Sequence, residues 1–384
     1  MVRQMFGRSR RRGRTAARLG CVLLCLPCLW GCFDPFNTLI WNQENVACDN
    51  GVVDTRPWFE WWYYKLVLPE TGDAFYFVYG VVNPWDTAMT EPSSRAYVGM
   101  GHSAEGVAIE QAYPVSDFAA SYWTTDVRVG DQHATDKAIV GELIDSDGMA
   151  VSWDIEIQPV WSFDAMGWAM LVPDVTSILW YPAQADALFT GRIDYKGQVY
   201  TFENAPGYQD RNWGHSFPRW WVWIVSNHFE GHPNSALAVG GGKPLVFGAI
   251  DVPASVGIGL LHNGKEYTFR PPDLDLVQLR ADFGTWQVTA VNTEGYKIEI
   301  EASAPLDSFT DIVFVTPQGE EFHDFETLTG ELTVRLYERT AARDPGWQLI
   351  ETLRSDFAGI EYGHHDIGQF EGLAGESKVL YSNL

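Results

Sequence analysis

The feature that most constrains the fold of this chain is a period of two. Residues 151–157 (VSWDIEI), 297–301 (KIEIE) and 331–337 (ELTVRLY) alternate apolar with polar side chains. Residues 74–82 (AFYFVYGVV) form an aromatic and β-branched run. Alternation sends successive side chains to opposite faces, the mark of half-buried antiparallel strands. Turn dipeptides recur between such runs: Asp147-Gly148, Lys196-Gly197, Asn263-Gly264, Glu294-Gly295 and Gln318-Gly319. Long amphipathic helical stretches are scarce. Strands in this number leave unpaired edges unless a sheet closes on itself. The pattern therefore predicts a mainly β chain of two antiparallel barrels or sandwiches. Strands run from Trp58 to Phe202 and a second set begins at Trp220, which gives units at 54–217 and 218–384. Each has the size of one barrel with a ligand cavity.

The first 31 residues stand outside that pattern. Residues 1–20 carry seven Arg and no acid, and a short apolar run (CVLLCLPCLWGC) follows. A basic region, a short apolar core and a small-residue cleavage site make a secretory signal at 1–31. The apolar run is shorter than the roughly 20 residues that a spanning helix needs. Leu29-Trp30-Gly31-Cys32 is similar to a bacterial lipobox, in which Cys32 would be lipidated and become the first mature residue. An ordinary cleaved signal with a nearby cysteine is the other reading. Either way the expectation is an exported bacterial protein, periplasmic or held at the outer membrane by its lipid, with 32–53 as a polar tether. Three of the five Cys leave with the signal, so neither a disulfide framework nor a cysteine-rich metal site is expected. The 19 basic and 50 acidic residues that remain repel nucleic acid and anionic headgroups, so membrane attachment falls to the lipid.

Two stretches concentrate acids among aromatics. Residues 57–65 read PWFEWWYYK, and on a strand Trp58, Glu60, Trp62 and Tyr64 share one face while Phe59, Trp61, Tyr63 and Lys65 share the other. Glu60 is thus flanked by indoles. Apolar surroundings raise a carboxyl pKa, although hydrogen bonds to backbone would give it a purely structural place. Residues 208–229 read YQDRNWGHSFPRWWVWIVSNHF. If Asp210 is buried among Trp213, Trp220, Trp221 and Trp223 it is a candidate general acid. If Arg211 pairs with it, the shift reverses and Asp210 is one half of an ion pair. Alternation sends Trp221 and Trp223 one way and Trp220 the other. A pocket of indoles and phenols can shelter a carbocation while excluding water. His215 and His228 can shuttle a proton beside this run or simply satisfy carbonyls.

Other signals are weak. His364-His365-Asp366 lacks further ligands, and neighbouring strand residues point apart. Gly240-Gly241-Gly242-Lys243 is no phosphate loop, since Leu237 stands where its first Gly is needed and Pro244 replaces Ser or Thr. The Ser elbow G-x-S-x-G is missing from the sequence.

Tyr208-x-Asp210-x-Asn212-Trp213-Gly214-x-x-Phe217-Pro218, followed by Trp221-x-Trp223-x-x-x-Asn227, resembles the tocopherol cyclase family. The resemblance extends from about Trp58 to Tyr362, through Asn234-Ser235 and residues 262–269 (HNGKEYTF). Phe59-Glu60-x-Trp62-Tyr63-Tyr64-Lys65 is similar to that family's Phe-Glu-Gly-Trp-Tyr-Phe-Lys. Trp61 in place of the Gly also resembles the related carotenoid 1,2-hydratases. The resemblance implies two lipocalin-like barrels in tandem and a reaction without a cofactor or metal. It implies that an acid protonates an isoprenoid double bond, after which a phenol oxygen closes a ring or water adds. Asp210 then matches the proton donor, Tyr208 and Asn212 hold it, and Glu60 is a second acid in the cavity. Trp58, Trp62, Tyr64, Trp213, Trp221, Trp223 and His228 would line the site of a prenylated quinol or related isoprenoid. A barrel that only carries a lipid is the reading from another class.

Overall fold

A computed structural model describes residues 34–172, 174–246, 250–251, 254–340, 346–365 and 378–382. The signal at 1–31, Cys32 and Asp366 lie outside the described residues. The chain forms two eleven-stranded antiparallel sheets, each curled into a nearly closed lipocalin-like barrel, plus a small two-stranded ribbon. The first sheet holds β1 (Phe59–Leu68), β2 (Asp73–Val82), β3 (Arg95–His102), β4 (Val107–Tyr113), β5 (Phe118–Ala120), β6 (Asp126–Val129), β7 (Gln132–Thr135), β8 (Ala138–Ile144), β9 (Ala150–Trp161), β10 (Ile178–Tyr195) and β11 (Gln198–Gly214), in the order β4-β3-β2-β1-β11-β10-β9-β8-β7-β6-β5. The second sheet holds β12 (Trp220–Ser226), β13 (Ser235–Gly242), β16 (Ser255–His262), β17 (Lys265–Phe269), β18 (Leu276–Asp282), β19 (Thr285–Val291), β20 (Tyr296–Ser303), β21 (Thr310–Val315), β22 (Glu321–Arg339), β23 (Trp347–His364) and β24 (Lys378–Ser382); β14 (Leu245–Val246) and β15 (Ile250–Asp251) make the ribbon. Its order is β17-β16-β13-β12-β23-β22-β20-β19-β18-β24, with β21 paired to β22. The chain order of strands is thus mostly the spatial order, and hairpins make most of the sheet. The long strands β10 (Ile178–Tyr195) and β11 pair with three register shifts. Each shift bends the pair and helps the sheet curl.

Each barrel has its own core. Trp62, Tyr64, Leu66, Phe75, Phe77, Tyr79 and Trp153 fill the first, and Val222, Ile224, Leu237, Trp286, Ile300 and Val334 are among those in the second. A third cluster joins the two. Phe59, Trp61, Tyr63 and Val67 of β1, and Tyr76 and Val78 of β2 (Asp73–Val82), meet Trp223, Val225, Ala238 and Phe322 of the second barrel. Strand β1 is therefore buried along all ten residues, one face inside its barrel and the other against its neighbour.

Of the segment 32–53 read as a tether, residues 34–42 are packed, while most of 44–53 is exposed. Residues 34–42 close one end of the first barrel, with Asn37, Thr38 and Leu39 buried, before a short helix α1 (Gln43–Ala47). The reason is Arg211. Its guanidinium, 0% exposed, lies 2.5 Å from the equally buried Glu60 carboxylate, and it also donates to the Thr38 carbonyl. The Ile40 and Trp41 backbone N–H groups donate to Glu60 at 2.7 and 3.2 Å. Trp62 and Trp213 sandwich the guanidinium at 4.5 and 4.8 Å from their ring centroids. The polar composition of 34–42 thus serves a buried ion pair rather than solvent. Truncating one partner leaves a buried charge uncompensated, at a cost of about 3–5 kcal/mol. Glu60→Ala should lower the free energy of urea unfolding by that amount; a loss below about 1 kcal/mol would show that the pair does not hold the segment.

Candidate active site

Because the period is two, β11 divides its side chains between two environments. Tyr208, Asp210 and Asn212 pair in register with Lys65, Tyr63 and Trp61, on the face toward the second barrel. Gln209, Arg211 and Trp213 pair with Tyr64, Trp62 and Glu60, on the face toward the first barrel's interior. Asp210 and Arg211 are neighbours in sequence but stand on opposite sides of the sheet. The cation that could have neutralised Asp210 is committed to Glu60.

Between the barrels lies a cavity of about 160 Å³, lined by Trp61, Tyr63, Tyr76, Trp180, Asp210, Asn212, Trp221, Trp223 and Phe314, among others. An apolar cavity of roughly 150 Å³ holds one benzene. The enclosed space therefore suits one ring or one prenyl unit with its double bond, not a whole long-chain lipid. Among the described residues, no Lys, Arg or His lines it. Glycines let the indoles lie flat on the wall: a Cβ on Gly240 would come within 2.7 Å of the Trp180 ring, and one on Gly363 within 2.5 Å of Trp221. Within the glycine run 240–242, Gly240 thus makes room for an aromatic ring, whereas a Cβ on Gly241 or Gly242 would meet the backbone of a neighbouring strand.

Asp210 is 3% exposed. Its Oδ2 accepts from Trp180 Nε1 at 2.7 Å and from the Tyr208 hydroxyl at 2.8 Å. Trp223 Nε1 donates to the Tyr208 oxygen at 3.2 Å, which turns the phenol proton toward Asp210. Burial pushes the Asp210 carboxyl up to about 7, against the pull of these donors. With Oδ2 occupied as an acceptor, the acid proton resides on Oδ1. This is a carboxylic acid held protonated near neutral pH in an aromatic cavity, with its orientation fixed by three hydrogen-bonding side chains.

The second barrel's wall carries three more acids: Asp324 and Glu326, both buried, on β22 (Glu321–Arg339), and the partly buried Glu361 on β23 (Trp347–His364). Trp221 Nε1 donates to Asp324 at 3.0 Å, and the Tyr63 hydroxyl donates to Glu326. Burial and mutual repulsion push Asp324 and Glu361 well above the usual carboxylate range, and burial brings Glu326 to about 7. Behind them, burial brings the Lys65 ammonium down to about 7 while its Nζ donates to the Phe357 carbonyl at 3.1 Å.

Asp210, Asn212, Trp221 and Trp223 line the cavity, and Tyr208 stands behind Asp210. Trp220 faces its own barrel's core, as the alternation requires. Glu60, Trp62, Tyr64 and Trp213 do not reach the cavity. Glu60 is the partner of Arg211 on the far side of the sheet, and Trp62 and Tyr64 sit in the first barrel's core. Trp58 packs against His215 at 4.7 Å, and His228 stacks edge-on to Phe357 at 5.5 Å, neither of them in the cavity wall. The cavity-lining face of β1 is thus the other one, carrying Trp61 and Tyr63. Trp180, Asp324, Glu326 and Glu361 escape a reading of the sequence: acids alternating along a strand look like a solvent face. The described residues hold one group with metal-ligand types close together, His232, His262 and Glu351, within 4.8 Å of one another and away from the cavity wall. Both His262 ring nitrogens are already engaged, by Ser235 at 2.8 Å and Asn263 at 3.0 Å.

Fold and site together define a class: tandem lipocalin-like barrels enclosing an aromatic, acid-bearing cavity at their junction. The tocopherol cyclase-like family model matches residues 92–364, and the chain belongs to that family. It is 24% identical over 360 residues to a probable chloroplastic tocopherol cyclase of Oryza sativa subsp. japonica, covering 80% of this chain and 76% of that protein. Identity to the chloroplastic tocopherol cyclase of Zea mays is 26% over 360 residues, covering 80% and 75%. Among solved structures, CghA shares the fold with a TM-score of 0.50 at 11% identity, covering 88% of this chain and 94% of that one.

The buried acid affects stability. In the folded protein Asp210 keeps its proton to about pH 7, whereas the unfolded chain releases it near 3.8, the ordinary value for an aspartate. The folded state thus binds the extra proton between those values, and this group's contribution to stability is lost as pH rises through that window. Asn at 210 can accept the same two hydrogen bonds without ever ionising. Asp210→Asn should therefore raise the thermal unfolding midpoint relative to the parent at pH 8, with the gain vanishing near pH 4. An equal effect at both pH values would mean that Asp210 is not held neutral.

Proposed function

We propose that this protein is a cofactor-independent isomerase that closes a ring on a prenylated quinol or a closely related isoprenoid, with Asp210 as the proton donor. The observation that carries this reading is an acid with no cation beside it, protonated near neutrality and aimed into an aromatic cavity. Oδ1–H of Asp210 gives its proton to the less substituted carbon of a prenyl double bond. A C–H bond forms, the π bond breaks, and a tertiary carbocation remains. The faces of Trp180, Trp221 and Trp223 and the phenols of Tyr63 and Tyr76 favour that cation, each cation–π contact contributing roughly 0.5–2 kcal/mol. The substrate's phenol oxygen then forms the C–O bond of the new ring and loses its proton. Trp180 and Tyr208 act on the ionised form of the donor, because their hydrogen bonds strengthen as charge develops on Asp210. Family membership and the cyclases named among the relatives support the substrate class.

In deuterated water, protein incubated with a prenylated quinol should yield a cyclised product carrying deuterium on the carbon next to the new C–O bond. Asp210→Asn should lower turnover by at least about a hundredfold, the scale of a lost general acid. Parent turnover should fall as pH rises through about 7, where the donor ionises. Full activity of Asp210→Asn would remove Asp210 from the reaction. A hydrated product would indicate water as the nucleophile, and an unchanged ligand co-purifying with protein inactive on every isoprenoid tried would indicate a carrier.

A further inference from the structure

The second barrel's wall of the cavity has an arrangement that proton donation by Asp210 does not use. Glu326 and Glu361 are direct register partners on adjacent antiparallel strands, Glu326 buried and Glu361 partly buried; both line the cavity, and Asp324 precedes Glu326 by two residues on the same face. Like charges directly opposite on a sheet are destabilising even at a wet surface. Two carboxyls facing each other at this wall therefore resist ionising together: burial holds both above the usual carboxylate range, and repulsion from Glu326 adds to the rise at Glu361. Tyr63, reaching over from the first barrel, donates its hydroxyl to Glu326 and favours the ionised form of the pair. So the cavity has a lone acid on the first barrel's wall and, within electrostatic reach of it, a pair of carboxyls on the second barrel's wall that carries at most one negative charge.

We propose that the Glu326–Glu361 pair is the base of the reaction, accepting the O–H proton of the hydroxyl that attacks the carbocation generated at Asp210. This inference rests on the acid-initiated reading above. In the step, the oxygen lone pair forms the C–O bond, the O–H bond breaks with its electrons retained by oxygen, and the proton moves to the pair. Asp210 has lost one proton and the pair has gained one, so the substrate is isomerised with no redox partner. Both groups return to their starting states by exchange with water once product has left. Separate walls give the pair its value. An anionic Asp210 beside the cation can reclaim the proton it gave, whereas a second base gives the hydroxyl proton a separate acceptor and favours ring closure. The charged and titratable groups facing the pair are Tyr63 and Lys65 from β1, Tyr76 from β2, Asp210 from β11, and Asp324 from β22. The Lys65 ammonium favours the pair's ionised form, and Asp324 opposes it when charged.

The test uses the full-length protein and two substrates: a prenylated quinol, and its ether with a methyl group on the oxygen that would close the ring. The ether cannot cyclise, but Asp210 can still protonate its double bond reversibly, so in deuterated water it reads the donor step alone. Glu326→Gln and Glu361→Gln should lose roughly a hundredfold or more in cyclisation while keeping deuterium exchange into the ether within a few-fold of the parent. Asp210→Asn should lose both. Tyr63→Phe, which removes a donor to the ionised pair, should move the acidic limb of the cyclisation pH profile upward. Cyclisation at the parental rate in both Gln variants, equal loss of exchange and cyclisation in either of them, or an unmoved acidic limb in Tyr63→Phe would overturn the assignment. If the parent itself performs neither reaction, the acid-initiated reading falls and takes this inference with it.

Discussion

The separation of Asp210 from Arg211 by the pleat of one strand is the constraint on which the site depends. Around residues 207–211 strand β11 is buried on both faces, so each of two adjacent ionisable residues enters a different dry compartment. Arg211 is matched inside the first barrel by Glu60, two backbone N–H groups bind the same carboxylate, and two indoles cover the guanidinium. Asp210, on the other face, has donors but no cation. Were the strand to slip by one residue, the acid would meet Glu60 and the guanidinium would enter the cavity. Register, fixed by the hydrophobic pattern of both barrels, is therefore also what fixes the chemistry.

Holding such an acid neutral is costly, and the magnitudes show how the fold tolerates it. Moving a carboxyl pKa from 3.8 to about 7 corresponds to about 4 kcal/mol at neutral pH. Each aromatic side chain buried at the barrel junction removes about 150–250 Å² from water, which contributes on the order of 4–6 kcal/mol before chain entropy is counted. Phe59, Trp61, Tyr63, Tyr76, Phe217, Trp223 and Phe322 all lie in that shared cluster. The aromatic content that makes the cavity suitable for a carbocation is the same content that offsets its acids. The junction between barrels, rather than either barrel's interior, can therefore hold four carboxyls without unfolding.

The period of two made the antiparallel sheets legible, and it correctly separated Trp220 from Trp221 and Trp223. Alternation defines two faces but does not say which one looks at a ligand when both are buried. For that reason Glu60, Trp62 and Tyr64 looked like cavity residues, while the face that lines the cavity belongs to Trp61 and Tyr63. The motif around Asp210 was legible because acid, aromatic and glycine lie together in one short stretch. Trp180, Glu326 and Glu361 were not, since they reach the cavity only through strand pairings between distant parts of the chain. Residues 34–42 misled for a related reason: their polar groups serve a buried Arg211 that no local pattern reveals.

The chemistry of the cavity depends on Asp210 keeping its proton up to about pH 7, far above the range of an ordinary aspartate. The most direct measurement is its carboxyl titration, followed by carbon-13 NMR on aspartate-labelled protein and assigned by the loss of one resonance in Asp210→Asn. This account predicts a carboxyl that stays protonated at pH 5 and titrates at about 7. A resonance titrating near 4, in the range of an ordinary exposed aspartate, would contradict it.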